Sequence, residues 1–196
     1  FKGGRFMVLQ LCWNNAFWFF AVYGIVSWSV MRFMPQEIRK KVLTYAPVQG
    51  KEHISLMLSR IFRIISYIIA LFSPVDIAST HFYIGSFVYT VGLILSTIAL
   101  WQFSKADTSR PITDGLYRYS RHPMQVMFYL LCLGVLLASA NLYLTIFTVG
   151  YIISFYPSFS GQEAYCREKY GTEYINYQNR TPKILFLRRK LKGDKL

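Results

Sequence analysis

Two stretches of this chain gather residue types that can do chemistry. Gly115 to Gln125 reads Gly-Leu-Tyr-Arg-Tyr-Ser-Arg-His-Pro-Met-Gln, and Gln162 to Tyr177 reads Gln-Glu-Ala-Tyr-Cys-Arg-Glu-Lys-Tyr-Gly-Thr-Glu-Tyr-Ile-Asn-Tyr. In the first, Arg121 supplies a forked donor for a carboxylate. His122 can hydrogen-bond or exchange a proton near neutral pH. Tyr117 and Tyr119 offer flat aromatic faces. Pro123 fits the first turn of a helix, where its missing N–H costs nothing. The free N–H groups and positive dipole end of that helix favour an anion. In the second, Glu163 follows Pro157 and Gly161 at the end of an apolar run. A carboxylate there is costly unless it is paired or functional. Tyr170-Gly171 reads as a helix C-cap, and a second short helix would carry Tyr174 and Tyr177 on one face.

The intervening residues must bring these stretches together. Two apolar runs, Pro123 to about Ala138 and Leu142 to about Phe155, are joined only by Ser139, Ala140 and Asn141. A helical hairpin across a membrane would return Glu163 to the level of His122. Arg, His, Glu and several Tyr then form one site for a zwitterionic aromatic ligand. Its carboxylate would meet Arg121, and its cationic group Glu163 and the aromatic faces.

Composition sets the environment. The chain has 196 residues, 54% hydrophobic and only 16% charged, against about a quarter charged in a soluble domain. Its apolar blocks are long enough to cross a bilayer, and lipid-exposed segments must satisfy their own backbone hydrogen bonds. The expected fold is an all-α, polytopic membrane bundle of about five helices forming one domain. Residues 1–103 are supporting spans, 104–185 hold the loop, hairpin and C-terminal helices, and 186–196 are a basic tail. Span one is expected from about Phe6 to Met34, too long for a signal peptide, with Asn14 and Asn15 facing another helix. Residues 36–53, including His53, read as a polar loop. Span two either begins near Ile54, running along the interface before entering the membrane, or begins near Ile61 with Arg60 and Arg63 snorkelling to headgroups; either way it ends near Pro74. Span three covers Phe82 to Phe103, with Gly85, Ser86, Gly92 and Ser96 as a small-residue packing face.

The net charge of +13 flanks apolar blocks and lies in no nucleic-acid-binding motif, so it reads as topology and contact with anionic headgroups. Of the 22 Lys and Arg, all but Lys2 and Arg5 fall on one side of a five-span layout. That places the N-terminus outside and the tail in the cytoplasm, across a bacterial or archaeal cytoplasmic membrane or the endoplasmic reticulum. Cys12, Cys132 and Cys166 suggest neither a disulfide framework nor a metal site. Neither His53 nor His81 has metal-ligand spacing.

The order Gly-x-Tyr-Arg-Tyr-x-Arg-His-Pro-Met, hydrophobic hairpin, Glu, Tyr-Gly-x-x-Tyr-x-x-Tyr resembles the isoprenylcysteine carboxyl methyltransferase and phospholipid N-methyltransferase superfamily, over roughly Thr113 to Leu185. The resemblance implies a membrane methyltransferase with S-adenosylmethionine as donor and a lipid or lipid-like acceptor, either a phospholipid amine or a prenylcysteine-type carboxylate. It implies Tyr117, Arg121, His122, Pro123, Met124, Gln162, Glu163, Tyr174 and Tyr177 around the cofactor, with Arg121, His122 and Glu163 closest to catalysis. The chain departs from the pattern at Gln125, where Tyr is usual, and at Gln162, where a second Glu is common. Sterol reductases, which use NADPH, resemble the same region, including Cys166 before Lys169-Tyr170-Gly171. They usually carry Asn at the position of Met124 and have about twice as many spans. A non-catalytic membrane scaffold is the third reading.

Overall fold

The computed structural model describes residues 9–43, 50–107 and 109–184. Lys2, Arg5 and the basic tail from Arg188 lie outside that range. The described residues form seven α-helices and no strand: α1 (Phe17–Arg32), α2 (Gln36–Leu43), α3 (Lys51–Leu71), α4 (Thr80–Ser104), α5 (Pro123–Ser139), α6 (Leu142–Phe155) and α7 (Ser158–Arg180). The helices α3 and α4, and the stretch entered by α6, are long and apolar enough to cross a membrane, while α1 and α5 are shorter apolar helices. The molecule is a membrane helical bundle.

Local chemistry sets the boundaries. Ser79 caps α4, its Oγ accepting from the Phe82 N–H at 3.2 Å. Asn141 caps α6 through its Oδ1, which accepts from the Leu144 N–H at 3.1 Å. Pro123 opens α5 and Pro157 immediately precedes α7. Ala140, with φ at 45°, and Asn141 turn the chain between α5 and α6.

Four sequence expectations are corrected. Span one begins at Phe17, not near Phe6. Asn14 and Asn15 serve backbone instead of a neighbouring helix: Asn14 donates to the Val75 carbonyl at 2.9 Å, and the Asn15 carbonyl oxygen Oδ1 accepts from Phe17 N–H. Their stretch pairs with Phe72–Val75, where the Ala16 N–H donates to the Ser73 carbonyl. Unpaired backbone is costly beside lipid, and these amides satisfy it. Span two is one continuous helix from Lys51, so His53 stands on its first turn and the polar segment before it holds α2.

The packing partners were only partly foreseen. On α4, Gly85, Tyr89, Gly92 and Ser96 are buried as one stripe. A Cβ on Gly85 would stand 2.3 Å from the Ala138 N, and one on Gly134 would stand 2.3 Å from the Tyr89 N. The backbones of α4 and α5 therefore touch, the small-residue mode of association in lipid. Ser86 lies beside that stripe and faces a smaller cavity with Asn14, Trp18 and Tyr89. The last span of the hairpin packs elsewhere. It runs along α3, where the Ser55 hydroxyl donates to the Ser154 carbonyl and Thr148 Oγ1 meets Ser66 Oγ at 3.5 Å. The hairpin helices α5 and α6 approach each other closely at few points and meet through Phe128, Tyr129 and Tyr151. A splayed hairpin leaves room between its arms.

Gly134→Val should push α4 and α5 apart and cost roughly 2 kcal/mol or more, the scale of core overpacking. Gly24→Ala, where nothing lies within 4 Å of a new Cβ, should leave thermal unfolding in detergent unchanged.

Candidate functional site

The first motif is held as a folded loop against the end of α4. Gly115 takes φ of 62°, and any Cβ there would collide with the Gln102 side chain. The Gln102 amide oxygen accepts from the Leu116 N–H at 2.9 Å. The 3-10 turn Gly115–Arg118 that follows turns Tyr117 inward and leaves Tyr119 62% exposed. Tyr119 thus offers no face to the site. Ser120, fully buried, donates to the Lys183 carbonyl at 3.1 Å, and the Arg121 N–H donates to the Pro182 carbonyl at 3.0 Å. The loop is stitched to the segment just after α7.

Arg121 is the centre of that junction. Its Nε and Nη2 both stand 2.9 Å from Glu163 Oε1. Its Nη1 donates to the carbonyls of Gln178 at 2.8 Å and Thr181 at 2.7 Å. Gln178 Nε2 donates to Glu163 Oε2 at 3.2 Å. The sequence reading gave Arg121 a ligand carboxylate and Glu163 a ligand cation; here the two charges meet each other. Glu163 is 4% exposed. Burial pushes its carboxyl up, but the His122 hydrogen bond and the Arg121 charge outweigh that and hold it below 4.5.

His122 precedes α5 and stacks on Phe159 of α7, ring centroids 4.2 Å apart and planes 21° from parallel. Its Nε2 lies 3.3 Å from Glu163 Oε1. Burial lowers the imidazole below its usual 6.5, against the opposing pull of Glu163. At pH 7 the ring is neutral. A carboxylate only accepts, so the ring proton sits on Nε2 and the basic lone pair on Nδ1.

Gly171 breaks α7 where the sequence placed a cap: its φ is 55°, and the helix resumes at once. The second half returns Tyr174 and Tyr177 beneath the loop, rings edge-to-face at 5.8 Å. The Tyr177 hydroxyl donates to the Tyr117 carbonyl at 2.6 Å.

A cavity of about 780 Å³ opens beside this junction, lined by Tyr117, Arg121, His122, Pro123, Met124, Gln162, Tyr174 and Tyr177. Of the residues that the resemblance places around the cofactor, all but Glu163 contribute; Glu163 lies behind Arg121 and His122. The Tyr117 hydroxyl is buried without a hydrogen-bond partner, and burial drives its pKa well above the usual phenol range. Cys166 also lines the cavity, and burial pushes its thiol up. The cavity then continues between the spans, past Tyr23 of α1, Arg63 of α3, Ser96 of α4 and Tyr151 of α6. Sequence reasoning missed these positions. The one available signal was Arg63, a cation inside an apolar run, which had been read as a headgroup anchor.

The two titrations act in the same direction. Between pH 6.5 and the lowered value of His122, the unfolded chain binds a proton that the folded chain does not, so stability falls as pH falls. Glu163 adds a second loss on acidification below about 4.5. In detergent, the melting temperature should drop as pH is lowered from 7 toward 5. His122→Gln should flatten that part of the profile and leave the more acidic loss in place.

Residues 77–173 match the family model for phospholipid methyltransferase. That stretch is about half of the chain. It includes Arg121, His122, Gln162 and Glu163 and stops just before Tyr174. No curated protein and no solved structure matches the chain. Through residues 77–173 the chain belongs to the phospholipid methyltransferase family, in keeping with the membrane methyltransferase superfamily that its two motifs resemble.

Proposed function

We propose that this membrane methyltransferase takes its methyl group from S-adenosylmethionine and delivers it to a lipid or lipid-like acceptor, at the end of the bundle where α5 begins and α7 ends. The observation that carries the proposal is the meeting of two distant polar motifs around one cavity that is polar at one end and runs between apolar spans at the other. Its volume of about 780 Å³ lies within the usual range for cofactor pockets. The partnerless Tyr117 hydroxyl is a donor that a bound polar ligand would satisfy. Tyr174, Tyr177 and Phe159 supply the aromatic surface suited to an adenine ring and a sulfonium. Met124 and Gln162 lie on the same wall. When bound, S-adenosylmethionine supplies an electrophilic methyl group.

Each residue then has a distinct task. Tyr117 and the tyrosines of α7 bind and orient. Arg121 and Glu163 are positioning residues, fixing the loop against α7 so that the walls stand in one geometry. His122, neutral and held by Glu163 through Nε2, keeps Nδ1 as the proton acceptor for an amine acceptor. The apolar walls exclude water, which favours transfer from a cationic donor to a neutral nucleophile. We also propose that the cavity end faces the cytoplasm, with the N-terminus outside; the Lys and Arg asymmetry supports this orientation.

Purified protein in nanodiscs should bind S-adenosylhomocysteine and not NADPH by calorimetry. Tyr117→Phe should weaken that binding about fivefold, the loss of one net hydrogen bond. His122→Ala should lower methyl transfer roughly a hundredfold if it is the base. NADPH binding in place of S-adenosylhomocysteine would remove the methyltransferase reading of the cavity.

A further inference from the structure

The membrane-side half of the cavity carries a group that the cofactor reading does not use. Arg63 stands in the middle of α3, within an apolar span, where a cation is expensive and is retained for a partner or a function. It lines the cavity with Tyr151 and Gln125. Its guanidinium carbon lies 6.0 Å above the Tyr151 ring, close enough for the ring to steady the guanidinium plane. The Tyr151 hydroxyl accepts from Gln125 Nε2 at 2.6 Å. Gln125 is three residues beyond His122, so this cluster lies about one helical turn, roughly 5 Å, into the membrane from the imidazole. Lys40 and Lys169 line the same cavity, where Glu37 is the one lining carboxylate among the described residues.

We infer that Arg63, steadied by Tyr151 beside Gln125, forms an anion subsite for the phosphodiester of the acceptor lipid and thereby sets which lipids reach the methyl group. The inference rests on the methyltransferase reading and names the acceptor's binding contact. A guanidinium fork matches two phosphate oxygens. The spacing also discriminates between acceptors. A phospholipid amine is separated from its phosphate by a short linker, so amine at His122 and phosphate at Arg63 are occupied together. In a carboxylate acceptor the anion is itself the nucleophile and must sit at His122, leaving Arg63 unused. The acyl chains then lie among Tyr23, Phe128 and Leu100, which line the apolar part of the cavity.

The test uses full-length protein in nanodiscs and three probes: dioctanoyl phosphatidylethanolamine, N-acetyl-S-farnesylcysteine and dioctanoylglycerol. S-adenosylhomocysteine binding is measured in parallel. Arg63→Gln should weaken the phosphate probe at least tenfold, while S-adenosylhomocysteine and dioctanoylglycerol stay within twofold of wild type. Arg63→Lys should recover part of the loss. Tyr151→Leu should give the same pattern as Arg63→Gln and serves where that variant fails to fold. Unchanged affinity for the phosphate probe, an equal loss for dioctanoylglycerol, or a loss confined to the farnesylcysteine carboxylate overturns the subsite. Arg63-dependent phosphate binding in a protein that ignores S-adenosylhomocysteine upholds the subsite and sinks the methyltransferase reading.

Discussion

The Arg121–Glu163 contact is the constraint on which the rest of the site depends. Two charges buried together gain little net stability, because desolvation consumes much of their attraction. Their effect is positional. All three guanidinium nitrogens of Arg121 are engaged: Nε and Nη2 on Glu163, and Nη1 on the Gln178 and Thr181 carbonyls. Those carbonyls close the far end of α7, so one side chain ties the loop before α5 to both ends of a helix that starts after α6. His122 is placed by the same carboxylate and by stacking on Phe159. Removal of either charge would leave the other buried without compensation, an expense of about 3–5 kcal/mol, and would unfasten two walls of the cavity together.

The bundle supplies the complementary constraint. Glycines weld α5 to α4 at backbone contact, and hydroxyls bind α6 to α3. The arms of the hairpin therefore belong to different helix pairs, although only Ala140 and its neighbours join them. The gap that results is filled by long aromatic side chains and by empty volume. A cavity at this place follows from partner choice in the bundle, as the loop chemistry alone would not create it.

This division explains what was legible in the sequence. The last three apolar blocks, the Ser139-Ala140-Asn141 turn and the Gly171 break are local, and each stood where expected, whereas the first two spans begin elsewhere. The co-location of His122 and Glu163 followed from counting spans. Contacts determined by tertiary geometry were not legible. Arg121 and Glu163 were both read as ligand-facing because sequence shows charge and not direction. Tyr119 looked equivalent to Tyr117 until the 3-10 turn pointed them apart. Asn14 and Asn15 serve a backbone pairing with a loop some sixty residues away, which no pattern announces. Arg63 resembled a snorkelling anchor because the start of α3 at Lys51, which sets its depth, was hidden in polar sequence.

The position of Gln162 shows how the charges of the site are apportioned. It lines the cavity, whereas Glu163, one residue on, is turned into the ion pair. A carboxylate at 162 would face the cavity directly, whereas Arg121 already has Glu163 as its counter-charge. With Gln there, the wall next to the proposed cofactor offers hydrogen bonds without a fixed negative charge. The negative partner of a cationic donor would then come from aromatic faces and from the acceptor itself. On the proposed reading, a neutral imidazole and a compensated ion pair leave a cationic donor to be balanced by the anionic lipid bound beside it.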